Sequence, residues 1–189
     1  MENQVKNNQN TDQKKTPPSR PTGRRGSVSE FKKSLQEKQT LKRLYGISER
    51  QFKRYVTEAL DKMQRVENIS DELIKSLEKR LDNVVFRLGF AKTRRQARQF
   101  VSHSHFLVNG RPVNIPSFKV SSGDIIDLKE SKKKKAVYKE LPVILSKIET
   151  PSWLEVNKTK LEGKTVGEPT LAEVNPPVEI SLIFEFYSK

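Results

Sequence analysis

The sequence has 189 residues and a mass of 21.8 kDa, with 37 Lys and Arg against 23 Asp and Glu, a formal net charge of +14 and only 33% hydrophobic residues. No apolar run exceeds three residues, the first 27 residues carry only Met1 and Val5 as apolar side chains, and cysteine is absent. A membrane-spanning helix, a signal-peptide core, disulfides, thiolate zinc sites and cysteine nucleophiles are therefore not expected. Residues 1–28 are rich in Asn, Gln, Lys, Thr, Pro and Ser, and Pro17, Pro18 and Pro21 oppose regular structure, so this stretch reads as a disordered basic arm. From Ser29 the pattern becomes helical. Phe31, Leu35, Leu41 and Leu44 make an apolar stripe, with Lys32, Lys33, Lys38, Lys42 and Arg43 around it, and Gly46 ends the helix. Ser48 with Gln51 forms a capping box for a second helix whose stripe is Phe52, Val56 and Leu60, leaving Arg50, Lys53 and Arg54 outside. Ser70 is the expected cap of a third, long helix carrying Leu73, Leu77, Leu81, Val84, Val85 and Leu88 inward, with Gly89 as its C′ residue.

A second capping box, Thr93 to Gln96, opens a short helix with Ala97, Phe100 and Val101 buried. The period then changes to two. Phe106-Leu107-Val108 reads as a strand, Asn109-Gly110 as a tight hairpin turn, and Arg111-Pro112-Val113-Asn114 as the returning strand. Ser122-Gly123-Asp124 turns into the strand Ile125–Leu128. Lys132–Lys135 reads as a solvated loop, and 138–149 as a short helix in which Pro142 is admissible only in the first turn. Leu182–Tyr187 alternates, Phe184 and Phe186 against Ile183 and Glu185, and predicts a terminal strand. No internal repeat is present.

The charge is unevenly spread. Residues 1–30 carry six basic and three acidic side chains, 31–66 ten and four, 67–139 sixteen and eight, and 140–189 five and eight. Between Asp82 and Asp124 there is no carboxylate, while Arg87, Lys92, Arg94, Arg95, Arg98, Arg111 and Lys119 all fall there. A solvated helix face usually mixes signs, so this interval points to an external anion, with a polyphosphate backbone as the partner. Lys92-Thr93-Arg94-Arg95-Gln96-Ala97-Arg98-Gln99 surrounds a helix N-terminus, where free N–H groups attract phosphate, and Arg94 and Arg98 share a face at i, i+4.

The run Arg80-Leu81-Asp82-Asn83-Val84-Val85-Phe86-Arg87-Leu88-Gly89-Phe90-Ala91, continued by Ala97-Arg98-Gln99-Phe100-Val101, Val108-Asn109-Gly110, Val113-Asn114-Ile115-Pro116-Ser117 and Gly123-Asp124-Ile125-Ile126, resembles the S-four RNA-binding domain. Leu35–Gln39, Leu44-Tyr45-Gly46-Ile47-Ser48-Glu49-Arg50-Gln51-Phe52, Pro151-Ser152-Trp153-Leu154-Glu155-Val156 and the terminal Glu185–Lys189 extend the likeness to the bacterial small-subunit ribosomal protein S-four family, from about Gly23 onward. The resemblance implies a primary binder of small-subunit ribosomal RNA at a helix junction in the five-prime domain. It also implies a part in nucleating assembly, in lining the channel through which mRNA enters, and in translational accuracy through contact with the small-subunit protein S-five. The implied RNA surface comprises Lys38, Lys42, Arg43, Arg50, Arg54, Arg80, Arg87, Thr93, Arg94, Arg98, Gln99, His103, Asn109, Asn114 and Ser117, to which the charge pattern adds Lys92, Arg95 and Arg111. Arg24 and Arg25 are the implied mRNA-side residues. The implied location is the small ribosomal subunit in the cytoplasm, an organellar ribosome being compatible, with no membrane partner.

The chain departs from the family pattern in its short cysteine-free arm, so no zinc knuckle is inherited, and in His103-Ser104-His105 where the family often has a glycine-containing histidine turn. With no third ligand of suitable type near these histidines, neither a metal nor another cofactor is assigned. An enzyme is the first rival reading, since the S-four module also decorates pseudouridine synthases and tyrosyl-tRNA synthetases and Arg80-Leu81-Asp82 echoes a synthase aspartate run. In a helix, however, Asp82 pairs more simply with Arg98 or Arg87, and no phosphate loop, Ser/His/Asp set or second domain accompanies it. The other rival is a free-standing S-four-domain factor acting on ribosomes, which the helical segment before residue 80 and the Pro-Ser-Trp-Leu-Glu-Val run disfavour. The expected fold is α+β: a disordered basic arm (1–28), a helical subdomain (29–79), an S-four module of a helix pair and a small antiparallel or mixed sheet (80–143), and a C-terminal segment (144–189) packing back on the module.

Overall fold

The computed structural model describes residues 29–188. The arm expected over 1–28, with Arg24 and Arg25, lies outside the described residues. Helix α1 (Glu30–Tyr45) starts where the Ser29 hydroxyl accepts the Lys32 amide and ends at Gly46, whose φ of 61° lets its N–H return to the Arg43 carbonyl. Helix α2 (Glu49–Leu60) is capped by Ser48, which accepts from the Gln51 amide, and buries Phe52, Tyr55, Val56 and Ala59.

The single long helix expected from residue 70 to 88 is two. Helix α3 (Ile69–Glu78) is capped by Asn68, whose side chain takes the Ser70 and Asp71 amides, so Asn68 holds the place expected of Ser70. Helix α4 (Leu81–Arg87) follows after Arg80 turns extended, with φ −67° and ψ 135°. Tertiary pairing causes the break. Arg80 forms a β-bridge to Lys119, the Val120 amide donates to the Lys79 carbonyl at 2.8 Å, and the Leu81 amide donates to the Phe118 carbonyl at 2.9 Å. Gly89 follows α4 at φ 84°, a conformation that costs an L side chain about 1–2 kcal/mol.

Helix α5 (Arg94–Ser102) is capped by Thr93, which accepts the Gln96 amide, while the Gln96 side chain accepts the Lys92 amide at 2.7 Å. Strands β1 (Phe106–Val108) and β2 (Arg111–Val113) are joined by Asn109 and Gly110 at φ 51° and 75°, the two positive values of a type I′ turn. Strand β3 (Ile125–Leu128) leads into a short helix α6 (Glu130–Lys133), so the lysine run expected as loop is partly helical. Helix α7 (Leu141–Lys147) carries Pro142 in its first turn. Strands β4 (Leu154–Asn157) and β5 (Glu162–Thr165) complete an antiparallel sheet of order β2-β1-β3-β5-β4. After the short α8 (Leu171–Val174), the expected terminal strand is instead helix α9 (Ile180–Ser188). Ile180, Ile183 and Phe184 are its buried positions, and Phe186 sets its ring 5.5 Å from that of Phe31 on α1. Spacings of three and four fit a helix against α1 better than the alternation fits a sheet.

The buried apolar residues form two clusters with no residue in common. One unites α1, α2, α3 and α9 through Leu41, Phe52, Val56, Leu73, Leu77, Ile183 and neighbours. The other unites α4, α5, α7 and the sheet through Val84, Leu88, Val101, Phe106, Ile126, Leu145 and Trp153. Segment 144–189 thus divides between both clusters. The fold is α+β, as its sequence implies.

Candidate nucleic-acid interface

Polar side chains fill the seam between the two apolar clusters. Glu78, at the end of α3, is fully buried. Its carboxylate accepts hydrogen bonds from the Tyr45 hydroxyl at 2.7 Å, Asn83 Nδ2 at 2.7 Å, and Arg87 Nε and Nη2 at 2.9 and 2.8 Å. Burial pushes this carboxyl upward, but the Arg87 hydrogen bonds and charge, with Tyr45 and Asn83, outweigh it and hold the group below the usual carboxylate range. Arg94 Nε donates to Asn83 Oδ1 at 2.8 Å, and its guanidinium lies over Phe86 and Tyr45 at 4.5 and 5.0 Å.

Asp82, at the start of α4, is the second anchor. Arg80 reaches it through Nε at 3.0 Å and Nη2 at 2.7 Å, and Arg98 through Nε at 3.0 Å. Arg80 Nη1 donates to the Tyr55 hydroxyl of α2 at 2.7 Å, and Arg98 Nη1 to the Gly46 carbonyl at 2.6 Å. Asp82 therefore pairs with Arg98, as its sequence position suggested, and with Arg80, whereas Arg87 belongs to Glu78. With Arg94 Nη2 also 3.9 Å from Glu78, two carboxylates face four arginines, so the seam keeps an excess of positive charge. Arg98 Nη2 is buried and finds no partner among the described residues.

The cations assigned to RNA by sequence thus fall into three groups. Arg80 is 2% exposed and turned wholly inward. Lys38 is 6% exposed and bound to Glu49 at 2.6 Å, and Lys42 reaches the other oxygen of Glu49 at 2.9 Å. Burial raises the Glu49 carboxyl, yet Lys38, Lys42 and Tyr187 bring it down to about 2. Arg87, Arg94 and Arg98 are half-buried in the seam with their stems inside. Arg43, Arg50, Lys92, Arg95 and Arg111 are exposed and have no ion-pair partner among the described residues, while Arg54 is exposed beside Glu58 at 3.3 Å. Thr93, Gln99, His103 and Asn114 are exposed as well, and Ser117 is half-buried. Asn109 is exposed but occupied, donating to Asp124 and accepting the Ile125 amide, so it fixes the hairpin.

Arg43, Gly46, Lys92, Thr93, Arg95 and Arg98 line an open cleft of about 640 Å³ with an aromatic floor of Tyr45 and Phe86. It brings the end of α1 and the start of α5 into one cationic groove, and Arg50, Lys53 and Arg54 continue the charge along α2. Such a groove holds phosphates by charge and by arginine forks, with no catalytic group required. Tyr45 and Tyr55 are buried with their hydroxyls in the seam. His105 is interior as well. Its ring stacks on Phe100 and its Nδ1 meets the Tyr138 hydroxyl at 2.7 Å. The described residues contain no group of three metal-capable side chains and no helix long and apolar enough to cross a membrane.

Glu78, Asn83, Tyr45 and Tyr55 escaped the sequence reading. The signal that finds them is polarity on an apolar stripe: Glu78 sits four residues after Ile74 on the buried face, and Asp82-Asn83 interrupts Leu81–Leu88.

Comparison with known proteins follows the same division. The Ribosomal protein S4/S9 N-terminal domain family matches residues 2–78 and the S4 domain family residues 79–126. That boundary coincides with the break between α3 and α4. Small ribosomal subunit protein uS4 of Halothermothrix orenii is 46% identical over 179 residues, covering 94% of this chain and 84% of the relative. The protein of the same name from Persephonella marina is 50% identical over 167 residues, 88% of this chain and 80% of the relative. That of Thermodesulfovibrio yellowstonii is 46% identical over 178 residues, 94% and 84% respectively. Two adjoining family matches and identity of this extent over nearly the whole length establish that the chain belongs to the small ribosomal subunit protein uS4 family, whose members are structural proteins and not enzymes.

Proposed function

We propose that this protein is a structural constituent of the small ribosomal subunit that binds ribosomal RNA directly, in the five-prime domain, and helps nucleate assembly there. The observation that supports this reading is the set of exposed cations without an ion-pair partner among the described residues that flank the cleft, Arg43 at the end of α1 and Lys92 and Arg95 at the start of α5, with Arg50 exposed at the start of α2. A surface spanning two packed units suits a folded junction of several RNA helices, which is recognised by shape and backbone. A single-strand platform needs exposed aromatics for base stacking, and here Tyr45 and Tyr55 are buried. The contact with S-five and a place beside the path of entering mRNA belong to the same reading, with Arg24 and Arg25 as the mRNA-side residues.

The test is competition at fixed, near-physiological salt. Folded five-prime-domain rRNA is expected to outcompete equal masses of poly(U) and duplex DNA by on the order of a hundredfold. Equal competition by poly(U) or DNA overturns the reading.

A further inference from the structure

We infer that Glu78 and Asp82 are positioning residues for RNA recognition: they clamp the helical unit to the sheet-bearing module, fixing the spacing of the exposed cations on the two. The inference rests on the RNA-binding reading above and deepens it.

The two apolar clusters share no buried residue, and the boundary between them is polar. Polar ties cross it. Glu78 of α3 takes hydrogen bonds from Asn83 and Arg87 of α4. Arg80 connects Asp82 to Tyr55 of α2, and Arg98 connects Asp82 to the Gly46 carbonyl beyond α1. Buried charge-assisted bonds of this kind are strong and directional, and these side-chain links, which add to the backbone pairing of Lys79–Leu81 with Phe118–Val120, are anchored on two carboxylates. Arg43 and Arg50 stand on one unit, Lys92, Arg95 and Arg111 on the other. Their separation matches one folded RNA only while the seam is made.

This role predicts an effect opposite to simple electrostatics. Glu78→Gln and Asp82→Asn each raise the net charge above +14, and charge alone would tighten binding to every polyanion. The seam requires the reverse for a rigid RNA target, and no loss for a flexible one. A charge-neutral variant isolates the geometry further. In Tyr55→Phe the hydroxyl removed is buried in the seam, where Arg80 donates to it, and Tyr55 lines no part of the cleft.

The experiment measures binding of full-length wild type, Glu78→Gln, Asp82→Asn and Tyr55→Phe to five-prime-domain rRNA and to poly(U), below each variant's melting temperature. Affinity for the folded rRNA is expected to fall by on the order of tenfold, ~1.4 kcal/mol, with poly(U) affinity and its salt slope unchanged or slightly raised. Because the chain has no cysteine, Thr57→Cys/Ser122→Cys, both exposed sites on opposite units, accepts a dye pair. The distance distribution of the free variants is expected to broaden and to narrow again on the rRNA. If a carboxylate variant does not fold, Tyr55→Phe decides. Retained rRNA preference with an unchanged distance distribution overturns the inference alone. Equal loss on rRNA and poly(U) also overturns it, as simple destabilisation. A wild type without preference for the rRNA overturns the proposed function, and the inference with it.

Discussion

Arg80 separates a structural from a binding role more sharply than any other cation in the chain. Arg80→Ala removes two of the four hydrogen bonds that Asp82 receives, the remaining pair coming from Arg98 Nε and the Asn83 amide. It also strips the buried Tyr55 hydroxyl of its partner. Breaking a buried pair by removing one member costs about 3–5 kcal/mol, because the charge left behind stays desolvated. For a chain of this length, with roughly 2–4 °C lost per kcal/mol, the melting temperature is expected to fall by about 6–20 °C. Thermal melting by circular dichroism checks this, with Arg95→Ala as control. Arg95 is exposed and unpaired, so its removal is expected to stay within about 0.5 kcal/mol. An Arg80→Ala protein that melts like wild type but binds rRNA weakly would refute the assignment and return Arg80 to the RNA surface.

Lys92→Ala and Arg95→Ala are expected to lower the salt slope of log K for RNA by about 0.7–0.9 for each phosphate left without its cation, in titrations across salt concentration, with melting unchanged. Gly163→Ala places a Cβ 2.4 Å from Leu88 Cδ1, deep in the module. The overpacking is expected to cost about 1–3 kcal/mol in denaturant unfolding. Burial, then Lys135 and Lys132, depress the His105 imidazole to about 4. The unfolded chain takes up that proton near pH 6.5, so this contribution to stability is complete above about 6.5 and is lost as pH falls toward 4. His105→Gln is expected to flatten that part of the stability–pH curve, measured by urea unfolding between pH 4 and 7.

Local chemistry made much of the fold legible. Ser29, Ser48 and Thr93 cap helices because a hydroxyl two or three residues ahead of free amides can do little else as well. Asn109-Gly110 turns because both residues tolerate positive φ. Long-range pairing was not legible. Residues 70–88 keep one apolar stripe across a break that is made only when Lys79–Leu81 meets Phe118–Val120. Strands β4 and β5 are hidden by Glu155, Asn157, Lys158, Lys160 and Lys164, a polar sequence at a sheet edge. The proposed RNA surface was visible as a carboxylate-free interval. Which arginines turn inward was not, because their partners Glu78 and Asp82 sit at its border and act through folding, not spacing.

Helix α9 has a consequence for how the protein emerges from synthesis. The Glu179 amide meets Glu37, 142 residues earlier in the chain, and Ile183 and Phe184 fill the cluster begun by α1 to α3. The module between Arg80 and Thr165 completes its own cluster from contiguous sequence, so it can fold while the rest is still being translated. The helical unit is made first yet finishes last, waiting for residues 180–188, and its long loop closure makes that step slow. For that interval Leu41, Phe52 and Leu73 lack their cover, and nascent chains are most open to chaperone capture at the end that emerged earliest.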